Sequence, residues 1–392
     1  MTAGSEEPVR RTDEPAPRVT DAPQGRTCWA RLMARLGRAG GGAPTTAQES
    51  DHAASPDSAA GNDRAADDAA GEEDDRGAFP GELAVYRHVG AKPPAYSPEP
   101  SAALDARSDV DGALIPDSVV DGFTAGSLTV RAASVAGDAH RHQGEPRQDA
   151  VAAVLVGPPE RGLVMGVVAD GVGSEPRSHV GAAAACRAAV ASLARRAAAL
   201  EAAIRDLQQD RLYFEVVHLI DEVTRSIEAE AVRISRPPGE LATTIRAVVI
   251  PTDSTLRGRL AFSVGDGATL RLSDTTWIGI RQQESTGSVV HDTATAVLPL
   301  HPDQLLVDIW SADLGETIVI CTDGLSEPLR DRQFAELLAA EWNGATIPGT
   351  LRFLWQTQSR LRSYDDDRTV ICIWDEPGTT SRPESPPAPT SS

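Results

Sequence analysis

The sequence predicts an α+β fold of two packed antiparallel β-sheets flanked by helices, an α-β-β-α sandwich, over residues 119–375. Three observations predict it. Apolar, β-branched runs of strand length are joined by short turns, which favours antiparallel neighbours. Strand runs and helical runs are segregated, which argues against a strictly alternating α/β sheet. A stretch of this size suits two sheets with helices over both outer faces.

The elements follow in order. Leu128–Val135 alternates in part and reads as a strand. Ala150–Val156 and Gly162–Ala169 are apolar runs on either side of Gly157-Pro158-Pro159, hence a hairpin. A helical region runs from about His179 to Ile234 and breaks near Gln208–Arg211; Val216, Val217, Ile220, Val223 and Ile227 carry its helical spacing. Strands resume at Thr243–Ile250, Leu260–Val264, Thr269–Leu272 and Thr276–Ile280. Ile318–Cys321 and Thr369–Trp374 close the series, with helices expected between them at Arg332–Ala340 and Thr350–Leu361.

The flanks read differently. Residues 1–118 are rich in Ala, Pro, Gly, Ser, Asp and Glu with no sustained apolar period, so they are expected to stay disordered. Residues 376–392 form a Pro/Ser/Thr-rich tail, also expected to be disordered. One island interrupts the first flank. Trp29, Leu32, Met33 and Leu36 recur at helical spacing among Arg26, Arg31, Arg35 and Arg38. It reads either as a docking helix for an adaptor, a serine/threonine kinase or an anionic surface, or as a transient helix without a role.

The net charge of -20 disfavours nucleic acid as a partner. No apolar run reaches the roughly 18 residues of a membrane span, and the N-terminus has no signal-peptide pattern, so a cytoplasmic location is expected. Cys28, Cys186, Cys321 and Cys372 are far apart and form no metal or redox motif; buried reduced thiols are expected.

The chemistry lies in the carboxylates. Apolar strands run into Asp170-Gly171, Asp266-Gly267 and Asp323-Gly324; Asp365-Asp366-Asp367 precedes the last strand and Gln148-Asp149 precedes the strand at Ala150. Each Asp-Gly alone is ordinary turn punctuation. Gathered at one sheet edge, they would repel one another unless divalent cations neutralised them. Such an all-oxygen site suits Mg²⁺ or Mn²⁺ better than zinc. Two such ions can activate water and stabilise in-line displacement at phosphorus.

These residues also sit in a recognisable pattern. Gly137-Asp138-Ala139-His140 through Gly144-Glu145-Pro146-Arg147-Gln148-Asp149 resembles the opening motif of a bacterial branch of the protein phosphatase 2C family. Asp170-Gly171-Val172-Gly173-Ser174, Ala242-Thr243-Thr244, Gly265-Asp266-Gly267, Thr322-Asp323-Gly324-Leu325 and Asp366-Asp367-Arg368-Thr369 resemble the later ones, in family order. The resemblance implies a serine/threonine phosphoprotein phosphatase of bacterial signalling, and a phosphoprotein as substrate. It implies two Mn²⁺ or Mg²⁺ ions, with a hydroxide bridging them as the nucleophile. Asp170 would bridge the ions, the Gly171 carbonyl would bind one, and Asp323 and Asp366 would complete the first ion's shell. Asp149 would hold water, and Asp266 would help hold a weaker third ion.

The departures from the pattern define further candidates. Gln148 stands where many members have a Glu ligand, so the second ion would be held less tightly. The phosphate-gripping Arg of other branches would fall near Gly144, which leaves Arg141 or Arg147 as substitutes. Val172 replaces a proton-donating His, which leaves His140 or His142, or a water, as the acid. The alternative to an enzyme is a catalytically weak or inactive phosphatase-fold module that binds or regulates.

Overall fold

The computed structural model describes residues 87–104, 110–280, 296–313 and 315–375. All belong to a compact unit that spans Gly77–Ser392. The strands are β1 (His88–Val89), β2 (Ser118–Ala125), β3 (Leu128–Val135), β4 (Ala150–Val156), β5 (Leu163–Ala169), β6 (Ile245–Pro251), β7 (Gly258–Val264), β8 (Ala268–Ser273), β9 (Thr276–Gly279), β10 (Leu306–Ser311), β11 (Thr317–Cys321), β12 (Arg360–Leu361) and β13 (Arg368–Asp375). The helices are α1 (Asp138–Gln143), α2 (Ser178–Arg205), α3 (Gln209–Arg233), α4 (Asp323–Ser326), α5 (Arg332–Trp342) and α6 (Thr350–Thr357).

Two antiparallel sheets carry the fold. One has the order β2-β3-β13-β11-β8-β9 and the other β10-β7-β6-β5-β4. Side chains alternate between the faces of each strand. Val164 and Val168 of β5 meet Ile318, Ile320, Ile371 and Ile373 between the sheets. Met165, Val167 and Ala169, on the other face of β5, pack with Ala182, Ala185, Ala189 and Leu193 of α2. Val319, Cys321, Val370 and Cys372 pack outward with Phe334, Leu338, Trp342 and Phe353 of α5 and α6. The result is the expected four-layer α-β-β-α order. Because central strands are covered on both faces, they read as unbroken apolar runs. Each fully buried Ile or Leu contributes about 1.5–3 kcal/mol.

α3 buries Val216, Ile220, Val223 and Ile227 of the expected stripe and adds Leu212 and Leu219, while Val217 is only half-buried. Cys186, Cys321 and Cys372 are buried free thiols. Burial pushes Cys186 and Cys321 up to about 12. Cys28 and the Trp29 island lie outside the described residues, as do residues 1–86 and 376–392.

The expected disordered flank 1–118 differs from the structure over its last part. β1 pairs in parallel with β12. Arg87 donates to Ser359 Oγ at 2.9 Å and to Glu341 Oε1 at 2.9 Å, and its guanidinium lies 4.7 Å from the Trp355 ring centre. Tyr96 packs on His142 with ring centres 5.0 Å apart. This segment orders by borrowing apolar and aromatic surface from the domain, which its own composition could not reveal. β2 and β10 also escaped the sequence reading. Both are edge strands. Half-covered edges carry Asp121-Gly122 and Asp308 inside what would otherwise be apolar runs. The helix expected over 350–361 stops at Thr357, and Arg360–Leu361 goes to β12 instead.

Candidate active site at one end of the sandwich

The carboxylates come from chain segments that both sheets deliver to one end. Asp170 follows β5, Asp266 sits in the turn between β7 and β8, Asp323 opens α4 after β11, and Asp366 and Asp367 lead into β13. One carboxylate oxygen from each of Asp170, Asp266 and Asp323 lies within 4.8 Å of the other two. A second group, His140 with Asp366 and Asp367, has ligand atoms within the same span. Asp323 and Asp366 line a common cavity of about 180 Å³.

Local backbone contacts explain the convergence. Thr244 N–H donates to the Asp170 carbonyl at 2.8 Å, Thr243 Oγ1 donates to the same carbonyl at 2.8 Å, and Asp170 N–H donates to Thr244 Oγ1 at 3.1 Å. The paired threonines therefore clamp the main chain that aims Asp170. Two glycines let neighbouring chain approach the 365–367 segment. A Cβ on Gly324 would lie 1.8 Å from the Asp367 carbonyl oxygen, and one on Gly137 would lie 2.3 Å from the Asp365 carbonyl oxygen. They let the start of α4 and the N-cap of α1 close on it.

Asp367 is the hub that sequence reasoning left without a role. Its Oδ1 accepts from Gly137 N–H at 2.7 Å and bonds His140 Nδ1 at 2.8 Å; its Oδ2 accepts from the N–H groups of Gln148 and Asp149. It ties the whole 137–149 loop to β13. No local signal ranked it: Asp366 and Asp367 both precede β13, and each brings a ligand atom within 4.8 Å of the other and of His140. Thr322 was also missed. Its Oγ1 donates to Asp149 Oδ2 at 2.9 Å.

The electrostatics are those of crowded like charges. Burial raises Asp170 well above the usual carboxylate range, and the charges of Asp149 and Asp323 push the same way. Burial and then Asp367 raise Asp149. Asp323 is raised chiefly by burial. Asp366, though its surface reaches solvent, has enough protein around its carboxyl to be pushed up to about 6, with Asp367 adding to the rise. For His140, burial works downward, yet the hydrogen bond and charge of Asp367 outweigh it and lift the ring to about 9. Asp149 Oδ1 is buried without a hydrogen-bond partner; the Thr369 hydroxyl near it is paired with Ser134 at 2.6 Å. Converging hard oxygen donors, raised carboxyls and an orphaned carboxylate oxygen together fit a divalent cation such as Mn²⁺ or Mg²⁺.

The two arginines expected to grip phosphate are turned to other work. Arg147 is buried and donates to Ser134 Oγ at 2.5 Å, to the Asp149 carbonyl, and to the Pro116 carbonyl at 3.3 Å. Arg141 is buried in a bidentate pair with Asp117 at 2.6 and 2.7 Å and also meets Asp138. Both fasten the loop from within. Gln148 stands beside the cluster, its Oε1 accepting from Ser178 Oγ at 3.1 Å. Gly171 forms a β-bridge with Thr243. His142 is exposed and engages Ser101 and Tyr96, away from the role of acid.

This fold and this carboxylate end define a class, and the comparison with known families agrees. The family model of protein phosphatase 2C matches residues 136–354, and the chain belongs to that family. Solved structures that resemble it include the catalytic domain of the serine/threonine protein phosphatase PstP in complex with two manganese ions. That match is 18% identical, covers 63% of this chain and 97% of the other, and has a TM-score of 0.42. The PstP/Ppp phosphatase of Mycobacterium tuberculosis is 18% identical, over 66% and 100% of the chains, with a TM-score of 0.42. PppA of Pseudomonas aeruginosa is 18% identical, over 64% and 98%, with a TM-score of 0.42. None of the curated proteins matches this sequence.

Proposed function

We propose that the site hydrolyses phosphoserine and phosphothreonine in proteins by direct attack of water on phosphorus, without a phosphoenzyme. The observation that carries this is the meeting of Asp170, Asp266 and Asp323 oxygens within 4.8 Å, from positions far apart in the chain. Two divalent cations held by Asp170, the Gly171 carbonyl, Asp323 and Asp366, and a weaker third at Asp266, would supply Lewis acidity that lowers the pKa of water and neutralises charge on the phosphoryl oxygens.

The chain's own groups do the rest. Asp149, one oxygen fixed by Thr322 and the other unpartnered, holds the attacking water and takes its proton. His140, lifted to about 9, is protonated at neutral pH; Nδ1 is occupied by Asp367, so Nε2 is the atom that hands a proton to the leaving serine or threonine oxygen. Asp367 positions His140 and the 137–149 loop. No cysteine takes part, in keeping with the buried thiols.

A second reading, a binding or regulatory module without turnover, draws on Gln148, a neutral amide held by Ser178 where a charged ligand would bind a second ion more tightly. Hydrolysis of p-nitrophenyl phosphate and of a phosphothreonine peptide by the full chain separates the two. Turnover that requires Mn²⁺ or Mg²⁺ and stops with EDTA supports the enzyme. A folded preparation that binds Mn²⁺ but gives no turnover at millimolar metal supports the module.

A further inference from the structure

We propose that Arg246 is the positioning residue for Asp266: from β6 it holds the Gly265-Asp266-Gly267 turn so that the Asp266 carboxylate meets Asp170 and Asp323 to bind a divalent cation. This rests on the phosphatase reading above, in which Asp266 helps hold such an ion. Asp266 is exposed and lies between two glycines of positive φ, +100° at Gly265 and +91° at Gly267. A turn with such a glycine on each side has wide backbone freedom. A contact from outside the turn is what can keep an Asp266 oxygen within 4.8 Å of those of Asp170 and Asp323.

Arg246 supplies that contact. One Nη donates to the Gly265 carbonyl at 3.4 Å and to the Asp266 carbonyl at 3.2 Å. The other donates at 3.1 Å to Thr269 Oγ1, on β8 of the opposite sheet. Gly267 presses the turn against the same guanidinium and against β11. A Cβ there would lie 3.3 Å from Arg246 Nε and 2.5 Å from the Cys321 carbonyl oxygen, two residues before Asp323. Two residues before Arg246, Thr244 clamps the main chain of Asp170. Residues two apart on an extended chain share a face and stand about 7 Å apart. The segment from Thr244 to Arg246 therefore spaces two carboxylate turns, that of Asp170 through Thr244 and that of Asp266 through Arg246.

The setting of Arg246 is not one that the fold demands. Val248 and Ile250, on the same face of β6, pack between the sheets with Ile318, Ile320 and Ile371. Arg246 enters that layer 3% exposed, and burial works against its charge. An apolar side chain of similar volume in such a place is often as stabilising or more so. It could not hold two carbonyls of a turn. The charge itself does not help the ligand, because a buried guanidinium repels a divalent cation. Arg246 aids cation binding through geometry alone, and the two effects have opposite signs.

The test titrates the full chain with Mn²⁺ in the absence of substrate and reads the free ion by electron paramagnetic resonance. Arg246→Met is the main variant, since it keeps an apolar stem and removes both donors and charge. Expected is a loss of about tenfold in Mn²⁺ affinity at the weakest site, although loss of the charge by itself would tighten binding. Asp266→Asn should cause a similar loss, and the double variant no further one, because Arg246 acts through Asp266. Arg246→Lys should recover part of the loss, and Thr269→Val, which removes only the far anchor of the guanidinium, should cause a smaller loss of the same sign. Unchanged or tighter Mn²⁺ binding in Arg246→Met, no loss in Asp266→Asn, or losses that add in full in the double variant overturn the proposal. Should Arg246→Met fail to fold, wild-type Mn²⁺ binding in both Arg246→Lys and Thr269→Val overturns it. A chain that shows the expected Mn²⁺ pattern yet never turns over a phosphopeptide leaves this proposal standing and sinks the phosphatase reading instead.

Discussion

The two ends of β13 treat their carboxylates in opposite ways. At the C-terminal end Asp375 accepts from Arg259 at 2.8 Å, from Arg257 at 3.0 Å and from Ser127 at 2.7 Å. At the N-terminal end Asp366 and Asp367 join Asp170, Asp149 and Asp323, where His140 bonds Asp367. One end is closed by its own arginines. The other stores like-charge repulsion that an added cation relieves. A buried charge paired within the chain serves the fold; a buried charge left without a protein partner is free to serve a ligand.

Substitutions at the two ends should cross over. Asp375→Ala leaves Arg259, 1% exposed, without its partner, and should cost about 3–5 kcal/mol of stability, read by urea unfolding, with kcat retained wherever the protein is folded. Asp170→Ala should lower kcat by about a hundredfold or more and leave the melting temperature of the metal-free protein unchanged or higher, because it removes a repelled group. Should Asp170→Ala unfold the chain and Asp375→Ala silence it, the contrast between the ends is wrong.

The pH dependence sharpens the same contrast. Asp366 has a folded pKa of about 6 against an ordinary 3.8, so the folded state holds its proton more tightly, and stability falls as pH rises from about 4 to 6. His140, at about 9 against 6.5, adds stability below 6.5 that is lost as pH rises through 9. Both slopes point downward. In EDTA the melting temperature should decline between pH 5 and 9, and Mn²⁺ should restore it most at the alkaline side. Asp366→Asn should flatten the acid part of the decline; an unchanged curve in that variant would remove Asp366 from the account.

A smaller effect is expected at Thr322, whose Oγ1 donates to Asp149 and accepts from Thr369 N–H at 3.2 Å. Thr322→Val should cost about 1–3 kcal/mol of stability and slow turnover severalfold without changing the Mn²⁺ requirement. A variant as fast as wild type would show that Asp149 needs no fixing.

Much of the site was legible because turn chemistry and strand ends are local. Asp170, Asp266 and Asp323 could be picked out since each follows an apolar strand and precedes glycine. Asp367 could not be ranked above Asp366, because both precede β13 and only contacts with distant Gly137 and His140 single it out. Arg147 and Arg141 looked available as phosphate ligands because a sequence shows charge and hides burial.

The amino-acid sequence by itself determined the two-sheet class, most of the central strands and the carboxylates that converge, since apolar period, turn residues and Asp-Gly punctuation are properties of short windows. Tertiary structure alone decided which charges pair and which stand exposed to a ligand. That choice depends on approach distances of a few ångströms between segments far apart in the chain, such as Asp367 with Gly137, 230 residues away, and Asp375 with Arg259, 116 residues away, and the Coulomb and desolvation energies that fix each role act through space and not along the chain.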